Sequence, residues 1–177
     1  MQFKIGDWVV HPTHGTGQIV NIEKKQFSEK TPRLYYEVVL PKLITLWIPI
    51  EAQLASGLRP VTALNELDHY RDLLRSPSVP LTVNHQQRRL ELASRLKPGS
   101  FQGMCEVVRD LTVSGWHKPL GLSDTATLQK TRQSLYLEWA TSASVPLIEA
   151  IKEIDSLLLT TRPTPAPKPI GLIVLSP

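Results

Sequence analysis

The chain has 177 residues, 41% of them apolar, with 20 Lys and Arg against 16 Asp and Glu and a formal net charge of +4. A charged fraction of 20% beside that apolar content excludes a disordered chain. The length accommodates two small domains with modest cores. A charge of +4 without any run of Lys and Arg excludes a protein that grips DNA unaided, because phosphate neutralisation dominates DNA affinity. A DNA contact therefore requires that something else hold the protein in place. The single cysteine, Cys105, excludes an intrachain disulfide and fits a reducing cytoplasm, and its place in an apolar helical pattern makes it a small buried hydrophobe. The opening residues start straight into a strand pattern without a signal peptide, and no apolar run approaches the ~20 residues of a membrane helix, so a cytoplasmic protein without a membrane partner is expected.

The first sixty residues read as β. Asp7 to Pro12 is a short apolar run stopped by proline, and Thr13-His14-Gly15-Thr16-Gly17 is a turn with two glycines. Gln18 to Lys24 alternates, which sets Ile19 and Asn21 on one side and Val20 and Ile22 on the other. The polar stretch Lys24 to Arg33 suits a hairpin tip. Leu34 to Leu40 and Leu43 to Pro49 supply two more strands, and Leu58 to Val61 a last edge strand. Strands this short and this closely spaced predict a small, strongly bent sheet or barrel.

From Thr62 the period changes to three-and-four. Leu64, Leu67, Leu73 and Leu74 mark an amphipathic helix with Thr62 as its N-cap. Ser76-Pro77-Ser78-Val79-Pro80 then breaks the chain and reads as a junction between modules. Asn84 caps a second helix that carries Leu90, Leu92, Ala93 and Leu96 and ends at Pro98-Gly99. Ser100 opens a third that stops near Gly115. Ser123 caps a fourth, with Asp124 in the first turn, where the helix dipole favours an anion. The last helix starts near Ser144, with Pro146 in its first turn, and runs to about Leu159. The fold class is thus α+β in two modules, a small β-barrel over residues 1–61 and an all-α bundle over 62–160, followed by a proline-rich tail over 161–177 with the apolar end Ile170 to Leu175.

Catalytic signals are missing. His11 and His14 lie three apart beside Asp7, but a zinc site needs three or four ligands, so the pair reads as two turn histidines. Gly15-Thr16-Gly17 has no following Lys-Ser/Thr and opens no helix, so it is no phosphate loop. Neither a nucleophile elbow nor a metalloprotease or triad signature occurs. No enzymatic activity, cofactor, metal or small-molecule substrate is expected. Two segments remain as binding candidates. Proline at the end of Leu43 to Pro49 suits an edge strand whose free backbone groups can pair with a partner. Trp47 within it reads equally as an interface anchor or as barrel core. Asn84-His85-Gln86-Gln87-Arg88-Arg89 opens the second helix with amides and donors suited to phosphate, although the residues alone favour an ordinary solvated face.

Phe3-Lys4-Ile5-Gly6-Asp7-Trp8-Val9-Val10-His11-Pro12-Thr13-His14-Gly15 resembles the start of the CarD/CdnL family of bacterial transcription regulators. Trp47-Ile48-Pro49-Ile50-Glu51 and Gly57-Leu58-Arg59 resemble its Val-Pro-x-Glu and Gly-x-Arg segments. Glu106-Val107-Val108-Arg109-Asp110-Leu111 and Gly121-Leu122-Ser123 resemble its helical domain, so the likeness runs from Phe3 to about Leu159. The resemblance implies a Tudor-like barrel that adds its edge strand to the β1 lobe of the RNA polymerase β subunit. It also implies a helical domain that contacts promoter DNA at the upstream edge of the transcription bubble through a tryptophan wedge and basic residues. The protein would act as a monomer, in the cytoplasm and at the nucleoid through polymerase. A related barrel occurs in transcription-repair coupling factor, whose motor domains this sequence lacks.

Position by position, Lys25 fills the place of a basic residue after the second strand, and Trp47 stands where a second basic residue usually precedes the Val-Pro segment. The resemblance therefore assigns polymerase contact to Lys25, Trp47, Ile48 and Pro49, with more reliance on apolar burial than on an ion pair. Asn84, His85, Arg88 and Arg89 match the DNA-contacting segment, with His85 in the place of the wedge tryptophan. Imidazole has less apolar area than indole, so weaker or differently directed stabilisation of the open complex is expected. The alternative is a non-enzymatic adaptor of polymerase without direct DNA contact.

Overall fold

The structure, a computed structural model, describes residues 2–27, 31–41, 43–97 and 99–162. Most of the apolar tail, the middle of the expected hairpin tip and Pro98 lie outside the described residues. The N-terminal part forms β1 (Trp8–His11), β2 (Gly15–Lys25), β3 (Arg33–Val39), β4 (Thr45–Pro49) and β5 (Arg59–Pro60). They make one antiparallel sheet in the order β4-β3-β2-β1-β5. The sheet is open: β4 and β5 are its edges, and no pairing joins them among the described residues, where a barrel was expected. Its core gathers Phe3, Val9, Ile19, Tyr36, Val38 and Ile48 on one face. The pairing of β2 with β3 shifts between Ile19 and Asn21, a β-bulge at the exposed Val20. Strict alternation would separate Ile19 from Ile22, but the extra residue resets the phase and both meet the same core.

Helices follow as α1 (Leu67–Arg75), α2 (His85–Leu96), α3 (Phe101–His117), α4 (Leu122–Ala143) and α5 (Leu147–Leu159). Asn84 and Ser100 cap α2 and α3 as their sequence context requires: Asn84 Oδ1 accepts from the amides of Gln86 and Gln87, and Ser100 Oγ from that of Gly103. Helix α3 passes through Gly115 to His117 and is the central element, packing against α1, α2 and α4. The main core joins Leu74, Phe101, Cys105, Leu135, Trp139 and Ile154 from four helices. Gly103 is required where α3 begins, because an added Cβ would collide with the Arg95 carbonyl of α2.

Ser76 to Pro80 lies inside this unit rather than between modules. Arg109 donates to Ser76 Oγ at 2.6 Å, and the fully buried Asp110 accepts from the Val79 amide at 3.0 Å and from Arg95 and Arg109. The Arg-Asp pair on α3 thus holds the chain break, and α1 packs on α3 and α5 as part of the same bundle.

Sheet and helices meet at Glu138, fully buried in the middle of α4. Arg59 of β5 grips it with two bonds of 2.6 and 2.8 Å, and the Thr62 amide and hydroxyl donate to it at 3.1 and 2.8 Å. Arg59 Nε also donates to the Gly99 carbonyl at 2.8 Å. Thr62 is therefore no helix cap. A short 3-10 turn, Leu64–Glu66, precedes α1, and the Thr62 side chain serves the junction. Ser123 likewise lies inside α4, whose N-cap is Gly121. Removing a carboxylate from such a site leaves Arg59 and Thr62 with unmatched donors, and breaking a buried pair by deleting one partner costs about 3–5 kcal/mol. Glu138→Ala is expected to destabilise the chain by about that amount in urea unfolding, with Glu138→Gln intermediate; equal midpoints for Glu138→Ala and wild type would contradict the junction's role.

Candidate functional site

The β4 edge is built by alternation. The Ile44 carbonyl accepts from the Leu40 amide at 2.9 Å, and alternate residues of a strand direct their backbone groups to the same side. Leu46 and Ile48 therefore bond toward β3, while Thr45 and Trp47 direct N–H and C=O to the free edge. Pro49, next in that series, has no N–H and ends the free ladder. Side chains alternate as well. Ile48 is buried in the sheet core and can serve a partner only through its place in the strand. Trp47 lies on the opposite face, outside the core, so it is not the core residue that the sequence also allowed.

Trp47 is half-buried because Lys25 covers it. The Lys25 ammonium stands 3.3 Å from the ring centroid and 3.0 Å from Glu23 Oε1. A cation over an indole face gains roughly 0.5–1 kcal/mol at an exposed site. Phe27 adds a third member, with its ring 5.1 Å from Tyr35 and 6.0 Å from Trp47. The structure thus brings Lys25 and Trp47 together and adds Phe27 and Tyr35. Neither addition was legible: Phe27 falls in the polar hairpin stretch, and Tyr35 is one of two adjacent tyrosines that alternation separates without saying which is outward.

At the start of α2 the four candidates have different surroundings. Asn84 spends its side-chain oxygen on the Gln86 and Gln87 amides, so those amides are not free for phosphate. Arg88 is three-way committed, to Asp124 Oδ2 at 2.8 Å, to the Thr82 carbonyl at 2.8 Å and to His85 Nδ1 at 2.7 Å. Because arginine only donates, His85 Nδ1 is the acceptor and the exposed imidazole carries its proton on Nε2. The Arg88–Asp124 pair fastens the start of α2 to the start of α4, which is what Asp124 does in that first turn. Arg89 is exposed and has no ion pair among the described residues. Near His85 stands an aliphatic side chain that sequence reasoning missed, Val83, 89% exposed, and α4 opens close by with Leu122, 93% exposed. Both look like ordinary flanking residues in the sequence, and the Arg88–Asp124 bridge is what brings the starts of α2 and α4 together.

The remaining candidates are structural. His11 Nδ1 accepts from the Thr13 and His14 amides at 3.2 and 3.3 Å, and burial and then the His14 charge push its imidazole below the ordinary range. No cluster of three His, Cys, Asp or Glu suited to a metal occurs among the described residues. Cys105 is buried, and desolvation pushes its thiol well up, away from nucleophilic use. Trp139 is in the helical core, and the half-buried Trp116 faces Arg162 at 6.0 Å. Among the described residues no helix is long and apolar enough to cross a membrane.

The chain is thus a two-part protein, an open-edged sheet unit joined through a buried arginine-carboxylate bridge to a five-helix unit. Residues 3–62 match the family described as CarD-like/TRCF RID domain, and residues 70–155 match CarD, C-terminal domain. The chain belongs to the CarD-like family of transcription regulators. It is 32% identical over 136 residues to "Putative transcription factor YdeB" of Bacillus subtilis (strain 168), covering 77% of this chain and 89% of that protein.

The neighbouring arginines should separate in a thermal-unfolding series. Arg88→Ala leaves Asp124 and the Thr82 carbonyl unmatched and is expected to cost about 2–4 kcal/mol, whereas Arg89→Ala is expected to stay within about 0.5 kcal/mol of wild type. Equal losses for the two would contradict the assignment of Arg88 to the fold.

Proposed function

We propose that this chain is a non-catalytic regulator of transcription initiation that binds RNA polymerase through its sheet unit and touches promoter DNA through its helices. Residues 1–61 act as a Tudor-like polymerase-binding module and 62–160 as the DNA-contacting module. The observation that carries the reading is the free β4 edge with Trp47 beneath Lys25 on its outer face. Backbone groups of Thr45 and Trp47 are free to extend a partner sheet, which suits the β1 lobe of the polymerase β subunit. The Lys25–Trp47–Phe27 platform then supplies apolar burial where other family members carry a second basic residue.

Tethering makes a weakly basic protein sufficient. Once polymerase holds the chain, its local concentration near the upstream edge of the bubble replaces intrinsic DNA affinity. There Arg89 supplies a free cation, and His85, Val83 and Leu122 form a mixed imidazole-aliphatic tip. Minor-groove proteins insert aliphatic as well as aromatic side chains at base steps, so Val83 and Leu122 compensate in part for the missing indole. Arg88 contributes by holding this tip rather than by meeting phosphate.

Co-precipitation of cognate polymerase β with the purified chain tests the first contact. Trp47→Ala is expected to lower recovery at least tenfold while the protein stays folded; wild-type recovery would remove the polymerase-edge reading. Promoter opening tests the second. Arg89→Glu is expected to reduce it without reducing β recovery, whereas unchanged opening would favour the adaptor without DNA contact.

A further inference from the structure

A trough crosses the molecule where the two units meet. One part is a cleft of about 360 Å³ between the β1–β2 turn and α4. The other is a groove of about 290 Å³ between α2 and α4. Pro12, Gly99, Met104, Lys130 and Ser134 line both, so the two hollows are continuous. Arg89 stands on the α2 side, Lys130 in the middle, and His11 and His14 on the sheet side.

The charge along this trough is one-sided. Its one carboxylate is Glu138, which is fully buried and already bound through both oxygens to Arg59. Neither Arg89 nor Lys130 has an ion pair among the described residues. For an arginine this is unusual in this molecule. Arg33, Arg59, Arg71, Arg75, Arg88, Arg95, Arg109 and Arg132 all face carboxylates, and Arg162 faces the Trp116 ring. A fold that pairs its other arginines so consistently leaves Arg89 without a carboxylate on the wall of this trough, next to Lys130.

The sheet side is built to donate. His11 Nδ1 accepts two backbone amides, which leaves Nε2 as its N–H. The His14 ring lies 4.8 Å away, and burial first and then the charge of His14 hold the His11 imidazole low. Gln133 and Ser134 add neutral donors on the α4 wall. No phenyl, phenol or indole ring lines either hollow, so apart from the two imidazoles the trough offers unpaired bases little to stack on. An open channel of cations and neutral donors suits the backbone of a duplex.

We infer that this trough takes the sugar-phosphate backbone of duplex DNA, extending the DNA face from Arg89 over Lys130 of α4 to His14 of the sheet unit. The inference rests on the DNA contact proposed above and adds a contact from the polymerase-binding unit itself. Its phosphate chemistry could also serve a small phosphorylated ligand, which the test separates.

The test is amide NMR of the full chain at low salt, titrated in separate arms with a short duplex of no promoter sequence, inorganic phosphate and phenyl phosphate. The duplex is expected to shift His14, Lys130 and Ser134. Lys130→Glu should weaken duplex binding about fivefold and lower the slope of log affinity against log salt by about 0.9, the value for one phosphate contact. Lys130→Gln should give a smaller loss of the same kind. Lys152→Glu, an equal charge change on exposed α5 surface, should have little effect, and equal losses for Lys130→Glu and Lys152→Glu would overturn the site. If the duplex shifts residues 84–89 and none in the trough, the DNA contact proposed above stands and this extension fails. If no residue responds to the duplex, both fail. If the phosphate compounds shift the trough and the duplex does not, it is a small-ligand site and the DNA-backbone inference is wrong.

Discussion

A carboxylate removed from water carries a desolvation cost of several kcal/mol, and Glu138 is fully buried. The fold meets that cost with a bidentate arginine and two donors from one threonine, and these partners define the geometry of the molecule. Arg59 comes from the edge strand β5 and Thr62 from the start of the crossing segment, while Arg59 also donates to the Gly99 carbonyl in the turn between α2 and α3. Glu138 thus fixes the sheet and the crossover, and through Arg59 the α2–α3 turn as well. Charged groups in such a site tolerate little displacement, because a shift of either partner exposes unmatched donors in a dry region. The β4 edge and the α2 tip are consequently held at one separation and one orientation.

The same logic recurs inside the helical unit. Asp110 organises Arg95, Arg109 and the Val79 amide, and Asp124 organises Arg88 and, through it, the Thr82 carbonyl. Most of the arginine that gives the chain its basic pI is therefore structural. Net charge overstates what the arginines offer to nucleic acid. A protein of this kind gains specificity of position from its tether and its rigidity, while its intrinsic attraction to DNA stays small.

Much of the architecture was legible in the sequence, because short-range rules govern it. Alternation and turn glycines located the strands, and Asn84 and Ser100 marked two helix starts through bonds that span only a few residues. The failures share one cause. Thr62 and Ser123 carry the hydroxyl of an N-cap, but Thr62 bonds Glu138, 76 residues away, and Ser123 follows the N-cap Gly121 inside the first turn of α4. Val20 alternates like any strand residue, and only the pairing with β3 exposes its bulge. Trp47 was correctly placed on a strand, but which face was core depended on the other strands. Arg88 and Arg89 are the sharpest case: adjacent and identical, they point to different sides of α2, and only Asp124 on another helix separates a structural residue from an available one.

Rigid coupling of the sheet edge to the helical tip is the claim on which the account depends, and Arg59→Lys probes it most directly. Lysine keeps the charge beside Glu138 but loses the two-pronged grip and the bond to the Gly99 carbonyl. The decisive measurement is open-complex lifetime with cognate polymerase, taken alongside β-subunit binding by the same variant. The account predicts β binding close to wild type and a lifetime effect reduced several-fold. A wild-type lifetime with the Arg59→Lys protein would contradict it.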